Sequence, residues 1–120
     1  MKLPLRVPPI DFTHHFGRCN DLDGEVNDSL EIQFINENSA ERHYKIDVRP
    51  VDYKIPMKAK NIYRLKNGHD ALYTNVPGFN LFVFENDGWQ YILSIDKRVS
   101  DQVTPEVFVE IANSIGVSFE

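Results

Sequence analysis

Leu81 to Ile95 reads LFVFENDGWQYILSI. Two apolar runs flank Asn86-Asp87-Gly88. Phe82, Phe84, Trp89, Tyr91 and Leu93 are bulky or aromatic, and such side chains suit a pleated, buried surface. Asp-Gly is a strong hairpin signal, because Gly88 can take positive φ without a steric penalty. The stretch therefore predicts a central β-hairpin, and the neighbouring segments predict strands that pair around it.

Working back from the hairpin, Pro77-Gly78 turns the chain into it. Asn61–Leu65 and Ala71–Thr74 read as two short strands about the turn Lys66-Asn67-Gly68-His69, with Asn-Gly the favoured type I′ pair. Residues 50–58, PVDYKIPMK, form a proline-punctuated passage. Before it, Tyr44, Ile46 and Val48 alternate with Lys45, Asp47 and Arg49, and Pro50 ends the run. Leu30, Ile32 and Phe34 alternate in the same way with Glu31 and Gln33. Both patterns predict half-buried strands, joined as a hairpin across the turn Asn36 to Ala40. Residues 20–29, NDLDGEVNDS, read as an acidic loop. Residues 1–12 contain Pro4, Pro8 and Pro9 and predict an extended entry segment. Phe12 and Phe16 are expected to tuck back onto the core.

After the hairpin the pattern changes. Thr104-Pro105-Glu106 combines an N-cap, a proline at the first helical position and an acid in the first turn. Val107, Phe108, Ile111, Ala112 and Ile115 recur at helical spacing, and Gly116 stands where a C-terminal cap glycine belongs. A helix over 105–115 is expected to lie on the apolar face of the sheet, because neither element can bury its apolar side alone. The fold class is α+β: an antiparallel meander of about six strands covered by a C-terminal helix, in a single domain over 1–120.

The chain has 120 residues, 42% of them hydrophobic, and a formal charge of -5. That length and composition suit one domain with a core. No dense cationic cluster of the kind that binds nucleic acid is present. The nearest is Lys54, Lys58, Lys60, Arg64 and Lys66, best explained as a solvated strand edge that lysines protect from pairing. No apolar run approaches the roughly 20 residues of a membrane span, and the first residues lack the apolar stretch of a signal peptide. Two readings stay open: a cytosolic protein starting at Met1, or a domain whose anchor lies upstream.

Cys19 is the single cysteine, so no internal disulfide forms. Arg18 beside it favours a thiolate, whereas Asp21 and Asp23 oppose one. His14, His15, Cys19, His43 and His69 lack the paired spacing of a structural metal site, and adjacent histidines on a strand point to opposite faces. Asp21, Asp23, Glu25 and Asp28 have the wrong glycine position and no twelfth-position glutamate for a calcium loop. No nucleophile elbow or phosphate loop is seen. Neither catalytic residues, metal ligands nor a cofactor are expected. The aromatic residues Phe79, Phe82, Phe84, Trp89 and Tyr91 fit either a plain core or a ligand groove; Phe82, Phe84, Trp89 and Tyr91 are the binding candidates.

The final forty or so residues carry a resemblance. Gly88-Trp89-Gln90-Tyr91, a short polar loop, and VFVEIANSI at 107–115 with Ile111, Ala112, Ser114 and Ile115 look like one family. It is the uncharacterised extracytoplasmic domain of membrane-anchored, anti-sigma-factor-like proteins and lipoproteins of Gram-positive bacteria. The Leu-Pro-rich opening LPLRVPP is similar as well. The resemblance implies a location outside the membrane, a tether elsewhere, and a binding or sensory role toward a protein or small ligand; it supplies no catalytic residues. The expected function is a noncatalytic binding or sensory module. The alternatives are a small enzyme using Cys19 and a histidine, or a cytosolic interaction or inhibitor protein.

Overall fold

The computed structural model describes residues 7–21, 27–53, 55, 58, 60–66, 68–86 and 88–115. Seven strands form one antiparallel sheet: β1 His14–Asp21, β2 Asn27–Ile35, β3 Tyr44–Pro50, β4 Asn61–Arg64, β5 Asp70–Val76, β6 Phe79–Asn86 and β7 Trp89–Asp96. One helix follows, α1 Pro105–Asn113. The sheet order is β1-β2-β3-β7-β6-β5-β4. Two meanders thus meet in the middle. From β3 the chain crosses to the far edge, enters as β4, and returns strand by strand until β7 closes beside β3.

This departs from a plain meander of about six strands in two ways. Residues 14–21 form the edge strand β1, paired with β2 from His14↔Ile35 to Asp21↔Asn27. Strand β2 therefore starts within the stretch assigned to the acidic loop. Residues 22–26, which hold Asp23 and Glu25 of the acidic calcium-like pattern, lie outside the described residues, as does the expected cap Gly116. Strands β3 and β4, consecutive in the chain, are not neighbours in the sheet, so the connection between them is a crossover.

The central hairpin forms as expected. Phe82↔Leu93 and Phe84↔Tyr91 are direct cross-strand pairs, and Gly88 sits at φ 83°. The Phe84 and Tyr91 rings are parallel at 4.9 Å. On the same face lie Tyr44, Ile46 and Val48 of β3 and Leu30, Ile32 and Phe34 of β2. These residues build the main core.

Two pieces of chain cover that face. Helix α1 lays Phe108, Ile111 and Ala112 onto it, with Phe108 stacked on Phe82 at 5.3 Å and 9°. Thr104 caps the helix, its Oγ accepting from the Val107 N–H at 3.4 Å. The helix ends at Asn113, two residues short of the expected Ile115, and Ser114 closes it by donating its backbone N–H to Ile111 and Ala112. The entry segment covers the other half of the face: Pro8 is fully buried, and Phe12 meets Phe34 at 5.5 Å. Phe16, also expected on the core, is 52% exposed on the opposite face. Its place in β1 opposite Gln33 dictates this, because neighbours along a strand alternate sides. Among the described residues, no helix is long and apolar enough to cross a membrane.

Candidate functional site

The face opposite α1 divides in two. The cross-strand register sets Gln33, Lys45, Ser94, Leu81 and Thr74 in one row, and Glu31, Asp47, Ile92, Val83, Leu72 and Ile62 in the next. Toward β2 and β3 the rows are charged and polar. Toward β7, β6 and β5 they are aliphatic but for Ser94 and Thr74. Leu81, Val83 and Ile92 are buried here and form a second cluster with Leu72 and Phe79. Both faces of the central strands are therefore apolar, as in a sheet covered on both sides.

The crossover from β3 to β4 runs over this second face and is pinned at Ile55. The Gln90 side chain, buried on β7, accepts from the Ile55 N–H at 2.8 Å and donates to the Ile55 carbonyl at 2.9 Å. A glutamine amide thus satisfies both backbone groups of one residue, as a neighbouring strand would. Between Ile55 and the sheet lies a cavity of about 290 Å³, lined by His43, Lys45, Asp47, Ile55, Val76, Phe79, Leu81, Ile92 and Ser94. Its size stands at the small end of ligand pockets, which span about 300–1,000 Å³. Most of its surface is apolar, with a few polar groups gathered along β3.

Those polar groups are held in pairs. The His43 ring meets the Gln33 side-chain oxygen at 3.3 Å, and its edge faces Phe79 at 6.4 Å. Arg49 donates to both Asp47 oxygens, at 3.3 and 3.2 Å. Beyond the rim, Arg98 donates to Asp96 at 3.1 and 2.8 Å. Hydrogen bonding from Arg98 holds the Asp96 carboxyl below the usual range, with the charges of Arg98 and His43 adding to it. Glu31 accepts from Gln33 at 2.7 Å. Lys45 is half-buried and has no hydrogen-bond or ion-pair partner among the described residues.

Compared with protein-family models, with curated proteins and with solved structures, the chain finds no match in any of the three. The site therefore rests on its own geometry.

That geometry separates the binding candidates taken from the sequence. Phe82, Phe84 and Tyr91 lie in the main core, at 0%, 2% and 0% exposure, on the face that α1 and the entry segment cover. Phe84 also borders a smaller hollow of about 160 Å³ with Lys66, Asn86, Ala112, Asn113 and Ile115. Trp89 is half-buried against the core. Of the aromatic residues weighed for a groove, Phe79 is the one that lines the larger cavity.

The cysteine and histidines do not gather. Cys19 pairs with Leu30 near one end of β1, while His14 pairs with Ile35 at the other. Strands rise about 3.3 Å per residue, so several residues of strand separate them. His15 stacks on Phe34 on the core face at 5.7 Å. His43 precedes β3, and His69 precedes β5 near the opposite edge of the sheet. Among the described residues, no group of three or more His, Cys, Asp or Glu side chains could hold a metal ion. The basic stretch is dispersed along the β4 edge: Arg64 pairs with Asp70 at 2.8 Å, and Lys60 Nζ reaches the Asn75 side chain at 3.2 Å.

The lining residues Lys45, Val76, Leu81, Ile92 and Ser94 were not singled out from the sequence as site residues. One signal could have found some of them. Both arms of the central hairpin are apolar at every position from Leu81 to Phe84 and from Tyr91 to Leu93. Such a run predicts burial on two faces, and only one can receive α1.

Proposed function

We propose that this domain is a noncatalytic binding module and that its site is the cavity beneath Ile55. The observation that carries the reading is the apolar floor of Leu81, Ile92 and Phe79 set beside convergent polar groups of β3, the composition expected of a small-molecule site. Two features fix the polar groups of the site. The His43 ring engages Gln33, and Asp47 is engaged by both of its oxygens with Arg49. Both groups are thereby fixed in place beside the apolar floor. The likeness of Trp89–Tyr91 and of Ile111, Ala112, Ser114 and Ile115 to the Gram-positive extracytoplasmic family supports a sensory role outside the membrane on an anchored protein.

A fragment screen on uniformly ¹⁵N-labelled protein tests the site. Bound fragments should shift the backbone amides of Lys45, Leu81, Ile92 and Ser94 together. Hits that leave these amides unmoved while shifting others would reject the cavity as the site.

A further inference from the structure

We infer that the cavity selects a small amphipathic anion, an apolar body carrying a single carboxylate or equivalent group, with Lys45 as its counter-ion. The inference rests on the binding reading above and adds the chemical class of the ligand.

Charge pairing around the site points to the sign. The carboxylate that lines the cavity, Asp47, is engaged by Arg49, and on the flanking strands Asp96 is engaged by Arg98 and Glu31 by Gln33. Lys45 lines the same space without such a partner among the described residues. A half-buried ammonium loses part of its hydration and regains it best from an anion, since hydrogen bonds between charged groups are about twice as strong as neutral ones. A cationic ligand would meet Lys45 with no unengaged carboxylate to offset it.

Position points to the shape. Lys45 and Ser94 are direct cross-strand partners, as are Ser94 and Leu81. One line across the sheet therefore passes from an ammonium, through a hydroxyl, to an aliphatic floor. Directly opposed side chains stand about 4.5–5.5 Å apart at Cβ. A ligand whose anionic head lies at Lys45 would set its body over Leu81 and Ile92, within reach of Phe79 and Ile55. A larger molecule with two separated charges would place the second on the aliphatic half.

The test uses three probes of one shape: 4-phenylbutyrate, 4-phenylbutanamide and 4-phenylbutylamine. Each is titrated into the ¹⁵N-labelled protein and followed at the Lys45, Leu81, Ile92 and Ser94 amides. The acid should bind about tenfold more tightly than the amide, the effect of one partly solvated charge-assisted bond, and the amine more weakly still. Lys45→Met should abolish the preference for the acid, bringing acid and amide to about equal affinity, and Lys45→Arg should retain it. Equal binding of acid and amide, or a preference that survives Lys45→Met, would overturn the inference and leave the binding reading standing. If none of the probes moves these amides at millimolar concentration, both readings fall. If the same amides shift on protein concentration alone, a second copy of the chain covers the face, and the small-anion reading is overturned.

Discussion

Replacing Tyr44 by phenylalanine should make the protein more stable. Tyr44 is fully buried on β3, and its hydroxyl has no hydrogen-bond partner among the described residues. Its ring is well used, stacking on Phe34 at 5.5 Å and facing Phe12 at 6.4 Å. A buried hydroxyl left unpaired costs about 1–3 kcal/mol of desolvation, and phenylalanine keeps the ring while removing that cost. For a chain of this length, 1 kcal/mol corresponds to about 3–5 °C in Tm, so Tyr44→Phe should raise Tm by roughly 3–15 °C in calorimetry at neutral pH. Burial also raises the Tyr44 pKa well above its ordinary 10.0. Below pH 10 the phenol is neutral in both states and pH has no effect through it. Above pH 10 the unfolded chain releases the proton and the folded one keeps it. Stability then falls as pH rises, at up to about 1.4 kcal/mol per unit. This alkaline decline should be shallower in Tyr44→Phe. An unchanged or lower Tm in the variant would refute the reasoning, because it would mean that the hydroxyl finds a partner.

Phe108→Ala removes the ring that seats α1 on Phe82, and should cost about 3–5 kcal/mol. Glu110→Ala, exposed on the same helix, should cost less than about 1 kcal/mol; equal urea midpoints for the two would mean that α1 does not pack on the sheet. Gly88→Val should cost about 1–3 kcal/mol. The space around Gly88 is open, but its φ of +83° is one that a β-branched residue resists. An unchanged urea midpoint would show that the turn can adopt a different backbone.

What was legible in the sequence followed from which side chains have one buried face. Strands β2 and β3 alternate because one side meets the core and the other carries Glu31, Gln33, Lys45 and Asp47. Helix α1 announces itself through Thr104, Pro105 and its stripe. Strand β1 gives no such signal. It is an edge, bonded on one side to β2, and its residues from His14 to Gly17 are all exposed, so burial imposes no alternation on HHFG. Its strand character comes from the partner, which local pattern does not record.

The cavity was hidden for a different reason, and the central hairpin shows it. Read as one apolar run, LFVF and YILS suggest a single aromatic core. Read by parity, they separate. Phe82, Phe84, Tyr91 and Leu93 share one face, whereas Leu81, Val83, Ile92 and Ser94 share the other. The aromatic parity meets Phe108 and the entry segment, where ring stacking fills a deep space. The aliphatic parity meets only a crossover strung over it and pinned at Ile55. Smaller side chains leave room there, and Lys45, in the row with Ser94 and Leu81, gives that room a charge. Parity within the hairpin therefore identifies the second face, but the residue pinned over it, Ile55, reaches it because β4 joins the far edge of the sheet. That joining is a matter of topology. It brings Ile55 of the connection onto Gln90 of the central strand β7, and no spacing within either segment encodes it.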